Sequence, residues 1–170
     1  MQLSLLGMNH SHQLFGQKDG DSAALYSHLS NLLLSRRYDA IAEELNEEAI
    51  TQWGCNESTA RKAANAFGVP HCFCDPDSSE RVGIGIPSCE NLKKILGIGK
   101  FADQKATAKL DAAVKRFWPV REEFWLNRLR QLRCSHALFI LGADHVPSFS
   151  ALLEREAIGF ECLNPHWEPS

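Results

Sequence analysis

Short apolar runs alternate along this 170-residue chain with stretches of helical periodicity, and no Asn-Gly-type hairpin turn joins one run to the next. Strands linked only through long crossovers must pair in parallel, so the alternation predicts the α/β class: a mainly parallel β-sheet flanked by helices. Residues 2–6, 39–45, 69–73, 137–141 and 160–163 read as the strands, and 137–141 is the clearest buried one. Ser22 can cap a helix that places Leu25, Leu29, Leu32 and Leu33 on one face and Arg36 and Arg37 in its last turn. A second helix starts at Asn56 or Ser58 and stops at Gly68, with Pro70 just beyond. Pro119 separates two later helices, and Pro147 opens a last one that Gly159 ends. From Cys74 to Gly99, prolines and glycines break the pattern, which predicts a long loop with a turn or two of helix. Residues 76–119 together read as a loop and helical insertion, a candidate lid, within one domain spanning 1–170.

Composition narrows the class of function. Apolar residues make up 44% and charged residues 23%, an ordinary globular balance. The longest strongly apolar stretch, 137–143, is far too short to cross a bilayer, and residues 1–6 lack the basic start of a secretory signal, so a soluble cytoplasmic protein without a membrane partner is expected. Net charge is −3, yet residues 93–133 hold 11 Lys or Arg against 4 Asp or Glu. That stretch, with Phe101, Phe117 and Trp118, reads as a solvated helix face or as a surface for nucleotide or nucleic acid. Six scattered cysteines and no CxxC pair fit reduced thiols, and Cys72 and Cys74 are expected to point to opposite sides of their strand, which makes a shared metal awkward. No GxSxG, P-loop, HExxH or GxGxxG string is present, which removes classical serine hydrolases, P-loop enzymes and dinucleotide dehydrogenases.

In a parallel sheet, ligands bind beyond the carboxyl ends of the strands, so the residues just after each strand carry the functional information. Gly7-Met8-Asn9-His10 follows the first strand, Glu43 and Glu44 end the second, Cys74-Asp75-Pro76-Asp77 follows the third, and Gly142-Ala143-Asp144-His145 follows the fourth. The GxxH string is weak alone: 11 Gly and 7 His in 170 residues give 11 × 7 / 170, about 0.45, by chance, against three observed. Position selects two of them. In the third, Gly68 to His71, the glycine ends a helix and the histidine begins a strand, which puts that ring at the opposite rim or in the sheet. Strand alternation sends Glu43 and Glu44 to opposite faces without saying which of them meets the histidines.

The paired GxxH strings, the strand ending in Glu44, the acidic turn at Asp75 and Asp77, Arg121-Glu122 opening a late helix and the closing Gly142-to-Pro147 stretch resemble the TraB/Tiki/ChaN/EreA superfamily. The resemblance runs from residue 3 to about 163. It implies an α/β core whose active site is formed by the two GxxH histidines, a glutamate ending the second strand and an arginine from a later helix: here His10, His145, Glu44 and Arg121. Activities in that superfamily include metal-dependent proteolysis, macrolide ester hydrolysis and iron or haem binding. On this footing the chain is expected to be a hydrolase acting on an ester or amide bond of a small molecule or peptide, with Asn9, Asp75 and Asp144 as additional site residues.

Two mechanisms stay open on these residues. His10, Glu44 and His145 form the usual ligand set of a catalytic zinc, manganese or iron ion, which would activate water. Alternatively, a histidine oriented by Glu44 or Asp144 deprotonates water while Arg121 stabilises the oxyanion. A crevice that only binds a metal, haem or an anionic metabolite uses the same residues. Structural readings also stand: Glu44 and Arg121 as an ion pair fixing a helix on the sheet, His10 as a loop histidine, Asp75 as part of a turn with Pro76, and Trp125 as core or pocket wall.

Overall fold

A computed structural model describes residues 1–14, 21–35, 38–99 and 103–169. Arg36, Arg37 and Phe101, which figure in the sequence expectations, lie outside these described residues. The fold is α/β, with a five-stranded, all-parallel sheet in the order β3-β2-β4-β1-β5. The strands are β1 (Gln2–Met8), β2 (Ala40–Glu43), β3 (His71–Phe73), β4 (His136–Gly142) and β5 (Gly159–Trp167).

β1 and β4 lie in the middle and are buried on both faces, which explains their unbroken apolar sequences. Leu3, Leu5, Ala137, Phe139 and Leu141 face one helical layer, where α7 (Trp118–Gln131) and α8 (Val146–Arg155) contribute Trp125, Leu129, Phe149 and Leu153. Leu6, Met8, Leu138 and Ile140 face the other, where α1 (Asp21–Ser35) and α3 (Thr59–Phe67) contribute Leu25, Leu29, Ala60 and Ala64. Truncating a fully buried leucine such as Leu5 to alanine costs about 2–5 kcal/mol in cores of this kind. Both edge strands differ in character: β3 has three residues, and β5 breaks register against β1 and contains Pro165, which an edge tolerates.

This topology opens the crevice. From the end of β1 the chain leaves to α1 on one face, whereas from the neighbouring end of β4 it leaves to α8 on the opposite face. Adjacent strands whose connections diverge leave a gap above their carboxyl ends, and His10 and His145 stand on its two banks.

Helix α3 begins at its Ser58 cap and ends at Gly68, whose φ of 65° is the left-handed C-cap conformation that glycine adopts without strain. Four expectations need correction. A helix not foreseen, α2 (Glu47–Gln52), follows β2, capped by Asn46. The 74–99 region is more helical than its punctuation implied: α4 (Ser78–Gly83) starts in a capping box made by Asp77 and Glu80, and α5 (Cys89–Leu96) starts at Ser88, before α6 (Gln104–Lys115). Side-chain caps here outweigh glycines that serve only to end each helix. Helix α8 ends at Arg155, and Gly159 begins β5. Finally, Cys72 and Cys74 share a face, as residues two apart on a strand must, and both pack toward α7, with the Cys72 thiol donating to the Phe73 carbonyl at 3.3 Å. Among the described residues, no helix is long and apolar enough to cross a membrane.

Candidate functional site

The carboxyl ends of the strands bring the sequence-derived residues together around one oxygen atom. Asn9 caps a short 3-10 helix (His10–Gln13) by accepting from the Ser11 N–H at 3.1 Å, which leaves His10 at the crevice mouth with its side chain 35% exposed. Glu44 follows β2 and is buried; Nε2 of His10 lies 3.4 Å from its Oε1, Nε2 of His145 3.7 Å, and Nη2 of Arg121 3.0 Å. The Gly142 N–H donates to Oε2 of Glu44 at 2.7 Å. Oε1 faces these three cationic or polar neighbours yet accepts no well-formed hydrogen bond, and Nδ1 of His10 is likewise buried without a partner. Sheet alternation separates the two glutamates: Glu43 turns to the opposite face, where it accepts from Ser58 Oγ and from His71 Nε2. Glu44 is therefore the crevice residue. His71, the third GxxH histidine, belongs to the sheet, beside Ile41.

Arg121 joins two carboxylates. Its Nε donates to Oδ1 of Asp75 at 2.5 Å, and Asp75 also receives the Trp125 indole N–H at 3.1 Å and Arg81 Nη2 at 2.6 Å. Asp75 is thus an anchor that holds Arg121 and ties α4 to the site. The ion-pair reading of Glu44 and Arg121 and the site reading describe the same contact.

His145 ends a 3-10 turn (Ala143–His145) and is 4% exposed. Its Nδ1 lies 2.8 Å from Oε1 of buried Glu122, which also accepts from Ser148 Oγ at 2.5 Å. A carboxylate only accepts, so Nδ1 carries the proton and Nε2 presents its lone pair to the crevice. The Trp118 ring, 4.0 Å away at 43°, and the Trp125 ring, 4.8 Å away at 70°, fix the imidazole plane. Sequence reasoning did not assign Glu122 this task. The signal was faint: its neighbour Arg121 points to the carboxylates, and only the packing of α7 on α8 shows that the next side chain meets His145.

The glycines of the two strings work by being small. Neither has a positive φ. A methyl group on Gly142 would lie 3.0 Å from Nε2 of His10 and 3.2 Å from Oε2 of Glu44, so the glycine of the second string clears space for the histidine of the first. One on Gly7 would strike the Pro165 carbonyl at 2.2 Å and Val146 Cγ2 at 2.6 Å.

Charges follow from these contacts. Burial alone would raise the Glu44 pKa, but Arg121, then His10 and His145, overcome it and hold the carboxyl at about 2. Burial works against a charge on His10, yet the negative charge of the adjacent Glu44 carboxylate prevails and raises its pKa. Burial also opposes the Arg121 charge, and Glu44 and Asp75 more than compensate, raising its pKa further. Among the described residues, no group of three or more His, Cys, Asp or Glu side chains is disposed to hold a metal ion. His10, Glu44 and His145 do not fit a three-ligand centre as they stand, because Arg121 already places its positive charge against Oε1 of Glu44.

Two lobes, each about 330 Å3, meet at a wall made by His10, Glu44 and Arg121. One is bordered by α2, α4 and α5; the other holds Asn9, Trp118, Asp144, His145 and His166. Compared with protein-family models, with curated proteins and with solved structures, the chain finds no match.

Proposed function

We propose that the chain is a compact relative of the TraB/Tiki/ChaN/EreA superfamily and a hydrolase of ester or amide bonds, working at the wall between the two lobes. The observation that carries this reading is the convergence of both GxxH histidines and Arg121 on Oε1 of Glu44, from elements more than a hundred residues apart. In the proposed step, water bound in the His145 lobe gives a proton to Nε2, whose acceptor state Glu122 enforces through Nδ1. Arg121, kept charged by Glu44 and Asp75, faces the oxyanion, and His10, protonated more readily because of Glu44, supplies a proton to the leaving group. The second reading is metal-dependent hydrolysis, in which the two Nε2 atoms that face Oε1 of Glu44 would hold the ion only once Arg121 had withdrawn from that oxygen. The cytoplasm stays the expected compartment on cysteine usage.

A panel of activated esters and amides tests this, assayed on the purified protein without a polyhistidine tag, with and without a chelator, beside His145→Gln and His10→Gln. Turnover that survives chelation and falls at least ~100-fold in both variants, with melting curves preserved, is the expected result. Near-stoichiometric bound metal lost from both variants, with activity lost to the chelator, would establish the metal reading. No turnover in any form would leave a binding protein.

A further inference from the structure

We propose that the lobe bordered by α2, α4 and α5 takes an uncharged, hydroxyl-rich ring, a sugar unit, as the alcohol portion of the ester; the hydrolytic half of this statement rests on the function proposed above. The charge pattern excludes a simpler occupant. Both guanidinium groups of this lobe are already matched: Arg121 by Glu44 and Asp75, Arg81 by Asp75 and the Pro76 carbonyl. Glu48 adds a further negative charge, so among the described residues an anionic metabolite would find no uncommitted guanidinium to meet it. A wholly apolar ligand fits no better, since it would strip water from Glu48, Gln52 and Ser88 and return nothing.

Hydroxyl groups suit these walls. Glu48 uses only Oε2 to accept from Ser78, the Gln52 amide both donates and accepts, and Ser88, which accepts the Asn91 N–H, keeps a hydroxyl proton to give. Trp53 supplies the remaining element. It stands at the C-terminal end of α2, 44% exposed, and borders both this lobe and an adjoining hollow of about 470 Å3 that reaches His10. A flat indole among polar groups offers a surface on which the C–H face of a sugar ring can lie while its hydroxyls bond to the rim.

In the step that follows, water oxygen bonds to the acyl carbon and the acyl C–O bond breaks. The sugar oxygen takes its proton from His10 while His145 holds the one lost by water, and the products are a carboxylic acid and a free sugar. His145 lines only the opposite lobe, which places the attacking water away from the departing sugar.

The test has two arms on the intact protein. In the first, methyl glycosides of glucose, galactose and N-acetylglucosamine are titrated to ~100 mM while the Trp53 indole N–H, assigned with Trp53→Ala, is followed by NMR. In the second, hydrolysis of 6-O-acetylglucose is compared with that of ethyl acetate. A saturable shift of the Trp53 signal, and a kcat/KM advantage for the sugar ester of about tenfold that drops toward one in Trp53→Ala, is expected. Ethyl acetate hydrolysis with no sugar advantage and an unmoved Trp53 signal would overturn the sugar lobe while leaving the hydrolase. Trp53-dependent glycoside binding with neither ester cleaved would support the lobe and overturn the hydrolase.

Discussion

Replacing Gly142 with alanine should separate the site from the fold. The backbone there, at φ −59° and ψ 133°, suits any residue, so no conformational strain arises. Ordinary contact begins near 3.4 Å, and the new methyl group would lie 3.0 Å from Nε2 of His10; the ring must retreat by 3.4 − 3.0, about 0.4 Å. Oε2 of Glu44, at 3.2 Å, must yield by about 0.2 Å, which strains its 2.7 Å bond from the Gly142 N–H. Crowding of this size costs about 1–3 kcal/mol, and the reduced freedom of the unfolded chain returns about 0.4–1 kcal/mol. A net loss of about 1 kcal/mol lowers Tm by roughly 2–4 °C in a chain of this length. The His10 pKa, which contact with Glu44 holds up against burial, should move down. Gly7→Ala makes the control: its methyl group meets the Pro165 carbonyl, which the backbone of β5 holds in place, so a loss of about 3 kcal/mol or more is expected. Histidine NMR titrations and thermal melts of both variants decide the matter. An unchanged His10 midpoint in Gly142→Ala, or a melt that drops as far as that of Gly7→Ala, would show that Gly142 does not clear the space for His10.

Other perturbations probe the same charges. Because the Glu44 pKa is about 2 in the fold against an ordinary 4.5, its contribution is complete above pH 4.5 and is lost as pH falls toward 2; the amount is on the order of 3 kcal/mol. Urea unfolding at pH 7 and pH 3 should show this loss in the native sequence, and Glu44→Gln should flatten it. Arg121→Met leaves the buried Glu44 carboxylate without its guanidinium, while Asp75 keeps Arg81 and Trp125, and should cost about 3–5 kcal/mol, much of it regained when Glu44→Gln is added, as read by denaturant midpoints. Glu122→Ala deprives His145 Nδ1 of its acceptor, while Ser148 Oγ keeps the His145 carbonyl, and should cost about 1–3 kcal/mol, with Glu122→Gln recovering part in the same assay.

The sequence made the parallel sheet legible because its central strands are buried on both faces and its helices carry clear apolar stripes. The residues at the strand ends were legible for a related reason: in such a sheet they must share a rim, whatever their separation along the chain. Less visible were features set by side-chain caps. Asn46 and Asp77 start short helices in segments whose apolar content is too small to announce them, and α2 carries Trp53 to the crevice edge. The choice between Glu43 and Glu44 needed the third dimension, since alternation separates them without naming the face. Glu122 was hidden because its meaning lies in the meeting of two helices, a contact that leaves no local pattern.

In the proposed mechanism the two histidines are an acid and a base set apart by their partners, His10 by Glu44 and His145 by Glu122. Long-range 1H–15N correlation spectra of the imidazoles, assigned with His10→Gln and His145→Gln, read both protonation states. Neutral His145 is expected to carry its proton on Nδ1 and leave Nε2 bare, and His10 to take up its second proton at higher pH than a free histidine. A proton on Nε2 of neutral His145, or a His10 that titrates below the ordinary histidine value, would overturn this division of roles.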